Sequence, residues 1–193
     1  MRLFVAILLD EAVRRALSRL QSAIAPACDG VRWIPADQLH LTVSFLGEVR
    51  DRDVPEVCEA VQRAALRPPF TIVANGAGCF PEKGPVRIVW AGARCDSQAM
   101  VQCVEAVTAE LEQVGYPRER RPWSAHVTLG RVREDRSRGG IRTAVEAARL
   151  DPVQQPVNAV CVMCAVLSPK GPTYSVVSTS NLGRSETPQR PSR

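Results

Sequence analysis

The chain has 193 residues, 45% of them hydrophobic and 23% charged, with a formal net charge of +5. That balance fits a globular protein with one substantial core and excludes disordered, collagenous and disulfide-scaffold classes. The longest early apolar run, Leu3 to Leu9, is far shorter than the ~20 residues of a membrane span. It is closed by Asp10 and Glu11 without a small-residue cleavage site, so no signal peptide is expected.

Taken in order, Arg2 to Leu8 reads as a buried strand. Asp10 is placed to cap a helix whose Val13, Leu17, Leu20 and Ile24 recur at helical spacing until Pro26. Val31 to Pro35 reads as a short extended piece, and a strand from His40 to Gly47 follows. Asp53 could cap a second helix carrying Val57 and Val61, stopped by Pro68-Pro69. Phe70–Val73 and Val86–Ala91 read as strands joined by a loop holding Gly76, Gly78, Pro81 and Gly84. That loop contains neither a P-loop nor a complete dinucleotide fingerprint. Asp96 or Ser97 would cap a long helix through Val101, Val104, Val107 and Leu111, ending at Gly115. A strand after Pro122, a basic loop over Arg133–Gly140 and a short helix over Ile141–Ala148 come next. Val157–Leu167 and Thr173–Leu182 then alternate well enough to form a hairpin about Lys170-Gly171-Pro172. We expect one domain over residues 1–183 and a disordered polar tail over 184–193.

One pattern occurs twice. The two histidines each open the same tetrad, His40-Leu41-Thr42-Val43 and His126-Val127-Thr128-Leu129. Polar–apolar alternation marks a half-buried strand, so His and Thr share one face while the aliphatic residues face a core. An imidazole can take or give a proton near neutral pH, and a neighbouring hydroxyl can hold an anionic oxygen. Two such pairs facing each other would grip a phosphate, one histidine as acid and the other as base. The competing reading is two ordinary core histidines, and a matched pair of tetrads argues against it.

The tetrads resemble the paired motifs of the two-histidine (2H) phosphoesterases, and within them the RNA 2',3'-cyclic phosphodiesterases, also called 2'-5' RNA ligases. Also carrying the resemblance are Met1-Arg2-Leu3-Phe4-Val5-Ala6-Ile7, Leu39 to Glu48 and His126 to Arg131. Ala125 stands where many relatives have proline, and Ser44 where many have a basic residue. The resemblance implies an α+β fold of two pseudo-symmetric lobes, each an antiparallel sheet with outer helices, facing each other across a central cleft. It further implies hydrolysis of a terminal 2',3'-cyclic phosphate to a 2'-phosphate, with possible reversible 2'-5' ligation. His40 would be proton donor and His126 proton acceptor, although the sequence itself leaves the two roles interchangeable. Thr42 and Thr128 would bind the phosphate. Arg131 would add an anion contact, provided Gly130 bends or bulges the strand, because alternation alone sends Arg131 to the other face.

No metal or other cofactor is expected. Cys161-x-x-Cys164 is the one suggestive ligand pair, and on a strand its members face opposite sides. Seven scattered cysteines read as free thiols in a reducing cytoplasm. Between Arg118 and Arg149, nine arginines against four acidic residues leave +5, a basic region around the second tetrad. It suits an RNA or nucleotide partner, with no membrane and no obligatory protein partner. Trp33, Trp123 and Tyr174 are candidates for stacking a base, with ordinary packing as the alternative, whereas Phe45 is expected in the core. The rival functions are a non-catalytic RNA- or nucleotide-binding protein on the same scaffold, and a phosphodiesterase for another 2'-5' or cyclic-phosphate nucleotide.

Overall fold

Residues 1–137, 139–168 and 171–183 are described by a computed structural model. Their elements are β1 (Arg2–Leu8), α1 (Glu11–Ile24), β2 (Val31–Trp33), β3 (His40–Glu48), α2 (Val54–Ala64), β4 (Phe70–Phe80), β5 (Ile88–Arg94), α3 (Ala99–Gln113), β6 (His126–Val132), α4 (Gly140–Ala147), β7 (Val153–Val157), β8 (Ala159–Ser168) and β9 (Gly171–Asn181). The tail expected over 184–193 and the turn residue Lys170 lie outside the described residues.

The nine described strands form one antiparallel sheet in the order β7-β4-β5-β6-β3-β1-β8-β9, with β2 added against β6. Four strands lie on each side of the β6–β3 seam, and the order is symmetric about it. This is the expected α+β pair of pseudo-symmetric lobes, their sheets fused at the seam and curled into a half-barrel. The helices cover one face. There Leu3, Val5, Ile7, Leu41, Val127 and Leu129 pack against Leu17 of α1, Val61 of α2, Val104 of α3 and Val145 of α4. The opposite face carries a small separate cluster of Phe4, Ala6, Cys161 and Met163. Cys161 and Cys164 therefore belong to different faces of β8, as strand alternation requires.

Local chemistry explains most element ends. The Asp10 carboxylate accepts from the Val13 N–H at 2.8 Å and caps α1. Buried Gln155 accepts from the Asp10 N–H and donates to the Leu8 carbonyl, fixing the β1–α1 corner to β7. Asp53 does precede α2, but its carboxylate is held by Arg50 at 2.6 Å and caps no helix N–H. Ser97, rather than Asp96, accepts from the Ala99 N–H at the start of α3.

Besides the Asp53 cap, two further expectations need correction. Gly76 and Gly78 lie inside β4, not in a loop: the register against β5 slips between Asn75 and Ala77, and Gly76 takes up the extra residue at φ +64°. β7 was not foreseen, because Gln154, Gln155 and Pro156 hide its alternation. It is an edge strand, where a proline's missing N–H is tolerated.

Gln21 on α1 is buried, and its amide donates to the carbonyls of Ile34 (2.8 Å) and Leu129 (2.9 Å). Gln21→Leu strands two carbonyl lone pairs and should cost about 1–3 kcal/mol in urea unfolding. An unchanged midpoint would show that this tie contributes nothing.

Candidate active site

β3 and β6 meet at one ladder pair, Leu41 opposite Val127. Both side chains go to the helix-side core, where they are fully buried. Counting one residue outward in an antiparallel pair puts Thr42 beside His126 and His40 beside Thr128, all four on the opposite, open face. The four predicted residues are thus brought together in two tiers across the seam. Neither threonine hydroxyl has a hydrogen-bond partner among the described residues, nor is either buried and unsatisfied.

Each tetrad ends in a β-bulge at the same place. In β3 the register against β1 passes from Ala6–Thr42 to Val5–Ser44, skipping Val43. In β6 the register against β5 passes from Trp90–Thr128 to Val89–Gly130, skipping Leu129. Skipping one residue reverses the facing of the rest of the strand, so the third residue after each threonine returns to the open face. On β6 that residue is Arg131, which the bulge delivers to the side of His126 and Thr128. On β3 it is Phe45. Alternation alone sent Phe45 to the core; in fact it opposes Phe4 across the ladder and is 57% exposed.

The two imidazoles are held alike. Nδ1 of His40 lies 2.8 Å from the Gln38 carbonyl, and Nδ1 of His126 lies 2.8 Å from the Ser124 carbonyl. A carbonyl can only accept, so each Nδ1 carries hydrogen and each Nε2 is left for chemistry. Two aromatic rings flank each histidine. Phe4 and Tyr174 lie 4.9 and 5.1 Å from His40, while Phe80 and Trp90 lie 5.2 and 6.5 Å from His126. Burial lowers the His40 pKa below its ordinary value; the charge of Arg131 lowers it further and the Gln38 carbonyl opposes both.

Of the three candidate stacking rings, Tyr174 alone touches a site histidine. Trp33 packs in the helix-side core, where its ring fills the space a side chain at Gly130 would need. Trp123 serves the backbone instead. Its indole N–H donates to the Thr42 carbonyl at 3.0 Å, holding β3 from the segment that leads into β6. Much of the basic region is used by the fold, with Arg118 paired to Glu112, Arg136 to Glu134, and Arg142 bound to the Pro81 and Gly84 carbonyls. Arg131 makes none of the ion pairs among the described residues. The flanking rings Phe4, Phe80 and Trp90 were missed, because an aromatic residue on a strand carries no sequence mark of which face it takes.

The LigT-like phosphoesterase family model matches residues 7–90. A curated Thermus thermophilus protein named RNA 2',3'-cyclic phosphodiesterase is 33% identical, aligned over 94% of this chain and 90% of its own. The chain belongs to the LigT-like phosphoesterase family. A Methanothermobacter thermautotrophicus protein bearing the same name as the Thermus relative is 30% identical over 90% of this chain and 95% of its own. A Thermus thermophilus crystal structure superposes with a TM-score of 0.80 at 31% identity, covering 95% of this chain and 98% of that one. Escherichia coli LigT, solved as a complex with 3'-AMP, shares the LigT-like fold at a TM-score of 0.74 and 24% identity, over 95% and 98% of the chains.

The Trp90 indole lies flat on β4 because position 78 is glycine: a Cβ there would fall 2.2 Å from the ring. Gly78→Ala should therefore displace the indole beside His126 and cost about 1–3 kcal/mol of stability by overpacking. Thermal unfolding together with the His126 imidazole shifts checks this; unchanged shifts would show that the indole does not position His126.

Proposed function

We propose that this protein is an RNA 2',3'-cyclic phosphodiesterase that opens a terminal 2',3'-cyclic phosphate to a 2'-phosphate without a metal. The observation that carries the reading is the two-tier arrangement of His40, Thr42, His126 and Thr128 on one open face. It is also the activity named for the relatives given above. In the proposed step a water oxygen attacks phosphorus, the bond from phosphorus to the ribose 3' oxygen breaks, and the 2' ester is kept. The water proton goes to Nε2 of His126, and Nε2–H of His40 supplies the proton to the departing 3' oxygen. Thr42, Thr128 and Arg131 hydrogen-bond the phosphoryl oxygens as charge builds on them. A ribose 5' hydroxyl in place of water would give a 2'-5' linkage by the same proton transfers, and the reverse reaction exchanges the roles of the two histidines. Among the described residues no helix is long and apolar enough to cross a membrane. We assign the protein to the cytoplasm, where RNA is present and seven free thiols stay reduced.

Turnover of a cyclic-phosphate-ended RNA tests this directly. His40→Ala and His126→Ala should each lose about 10²- to 10⁴-fold in rate, while EDTA leaves the wild type unaffected and the product is a 2'-phosphate. RNA binding without turnover in the wild type would favour a binding protein, and turnover surviving both substitutions would place the chemistry elsewhere.

The pH profile separates the two roles. A proton donor must be charged in the free enzyme, so activity falls as pH rises through its pKa; the acceptor gives the opposite limb. Arg131 lowers the His40 pKa, so Arg131→Met should raise it. The alkaline limb of kcat/KM should then move to higher pH in this variant. Movement of the acidic limb instead would assign His40 as the base.

A further inference from the structure

β2 lies against the same edge of β6 as β3 does, but further along, where β3 has diverged. Its register sets Val31 opposite Val132, Arg32 opposite Arg131 and Trp33 opposite Gly130. Val31, Trp33 and Val132 pack into the helix-side core. Arg32 and Arg131 therefore project together onto the open face. This adds a third tier to the seam: Thr42 with His126, then His40 with Thr128, then Arg32 with Arg131. Hydrogen bonds on both sides of the last tier, from the Ile34 N–H to the Leu129 carbonyl and from the Arg133 N–H to the Gly30 carbonyl, fix its register.

Two guanidinium side chains on one face concentrate positive charge at this end of the seam, and that suits an anionic group there. Tyr174 touches His40; burial raises its pKa, and the charges of Arg131 and Arg32 act against the rise. By register the arginine tier borders the His40–Thr128 tier, and so it is on the His40 side of the site. If His40 protonates the 3' oxygen, the ribose bearing that oxygen lies on the same side, and its 5' substituent points onward from the reacting phosphate.

We infer that Arg32, set beside Arg131, binds the phosphate on the 5' side of the reacting nucleotide while Arg131 stays on the reacting phosphate, so that the site selects 5'-phosphorylated and oligonucleotide substrates over a bare nucleoside 2',3'-cyclic phosphate. This rests on the hydrolase reading and on His40 as the donor. The cross-strand partner supplies charge-assisted, bidentate hydrogen bonds that a neutral 5' hydroxyl cannot take up. Arg32 is a specificity residue, because it acts on a phosphate that does not react.

The test compares kcat/KM for adenosine 2',3'-cyclic phosphate with and without a 5' phosphate, in the wild type, Arg32→Met and Arg32→Lys. Both substrates are measured on each preparation, so their ratio does not depend on how much of a variant is folded. The wild type should prefer the 5'-phosphorylated substrate at least ~10-fold, the scale of one charge-assisted hydrogen bond. Arg32→Met should bring the ratio close to one, and Arg32→Lys should retain part of it. A wild-type ratio near one, or a ratio unchanged in Arg32→Met, overturns the proposal while leaving the hydrolase reading intact. Wild-type protein that turns over neither these nor a cyclic-phosphate-ended RNA would overturn the hydrolase reading, and this proposal with it.

Discussion

Leu41 opposite Val127 is the one ladder pair that joins β3 to β6, and so the two halves of the sheet. Its two side chains are fully buried on the helix side, each worth about 1.5–3 kcal/mol of transfer free energy. Because strand side chains alternate, sinking this pair in the core lifts the four flanking positions onto the open face. The site is therefore a geometric consequence of the core. A one-residue slip at this pair would bury the histidines and expose the aliphatic residues, so the hydrophobic effect itself guards the register. The Trp123 indole bonded to the Thr42 carbonyl adds a second clamp across the same seam.

The bulges after Thr42 and Thr128 complete the arrangement. A regular strand keeps residues i+3 on the far face, so without a bulge neither Phe45 nor Arg131 could share a face with the preceding histidine. The two halves use the same backbone device for different ends: an exposed ring beside Phe4 on one side, and a guanidinium facing Arg32 on the other. Gln21 supports the second bulge from the core side by donating to the carbonyl of the skipped residue, Leu129. Pseudo-symmetry in the backbone thus coexists with asymmetry in charge, and the asymmetry gives the seam a direction.

The four central residues were legible in the sequence because their signal is local: a His-aliphatic-Thr-aliphatic tetrad defines both the strand and the facing of its polar side. The first helix and its Asp10 cap were legible for the same reason, as was the β8–β9 pairing. The features that could not be read depended on partners distant in the chain. Arg32 sits in a three-residue strand whose facing is set by β6, roughly a hundred positions away in sequence. Phe45 followed the wrong parity because a bulge is a property of the strand pair and leaves no mark on one strand. β4 continued through Gly76 and Gly78, two residues that read as loop, because one absorbs a register slip and the other makes room for Trp90. Asp53 looked like a cap, but the competing Arg50 guanidinium could not be weighed from spacing alone.

We propose that both imidazoles face one phosphate seat with Nδ1 protonated and Nε2 presented. The chain has two histidines, so long-range ¹H–¹⁵N NMR of the imidazoles gives an uncrowded spectrum. Titration with adenosine 2'-phosphate, the proposed type of product, should shift Nε2 of His40 and of His126 along one common binding curve. In the free protein the neutral form of each ring should show the Nδ1–H tautomer. A response from one histidine only, two different affinities, or an Nε2–H tautomer in the free protein would contradict the shared seat.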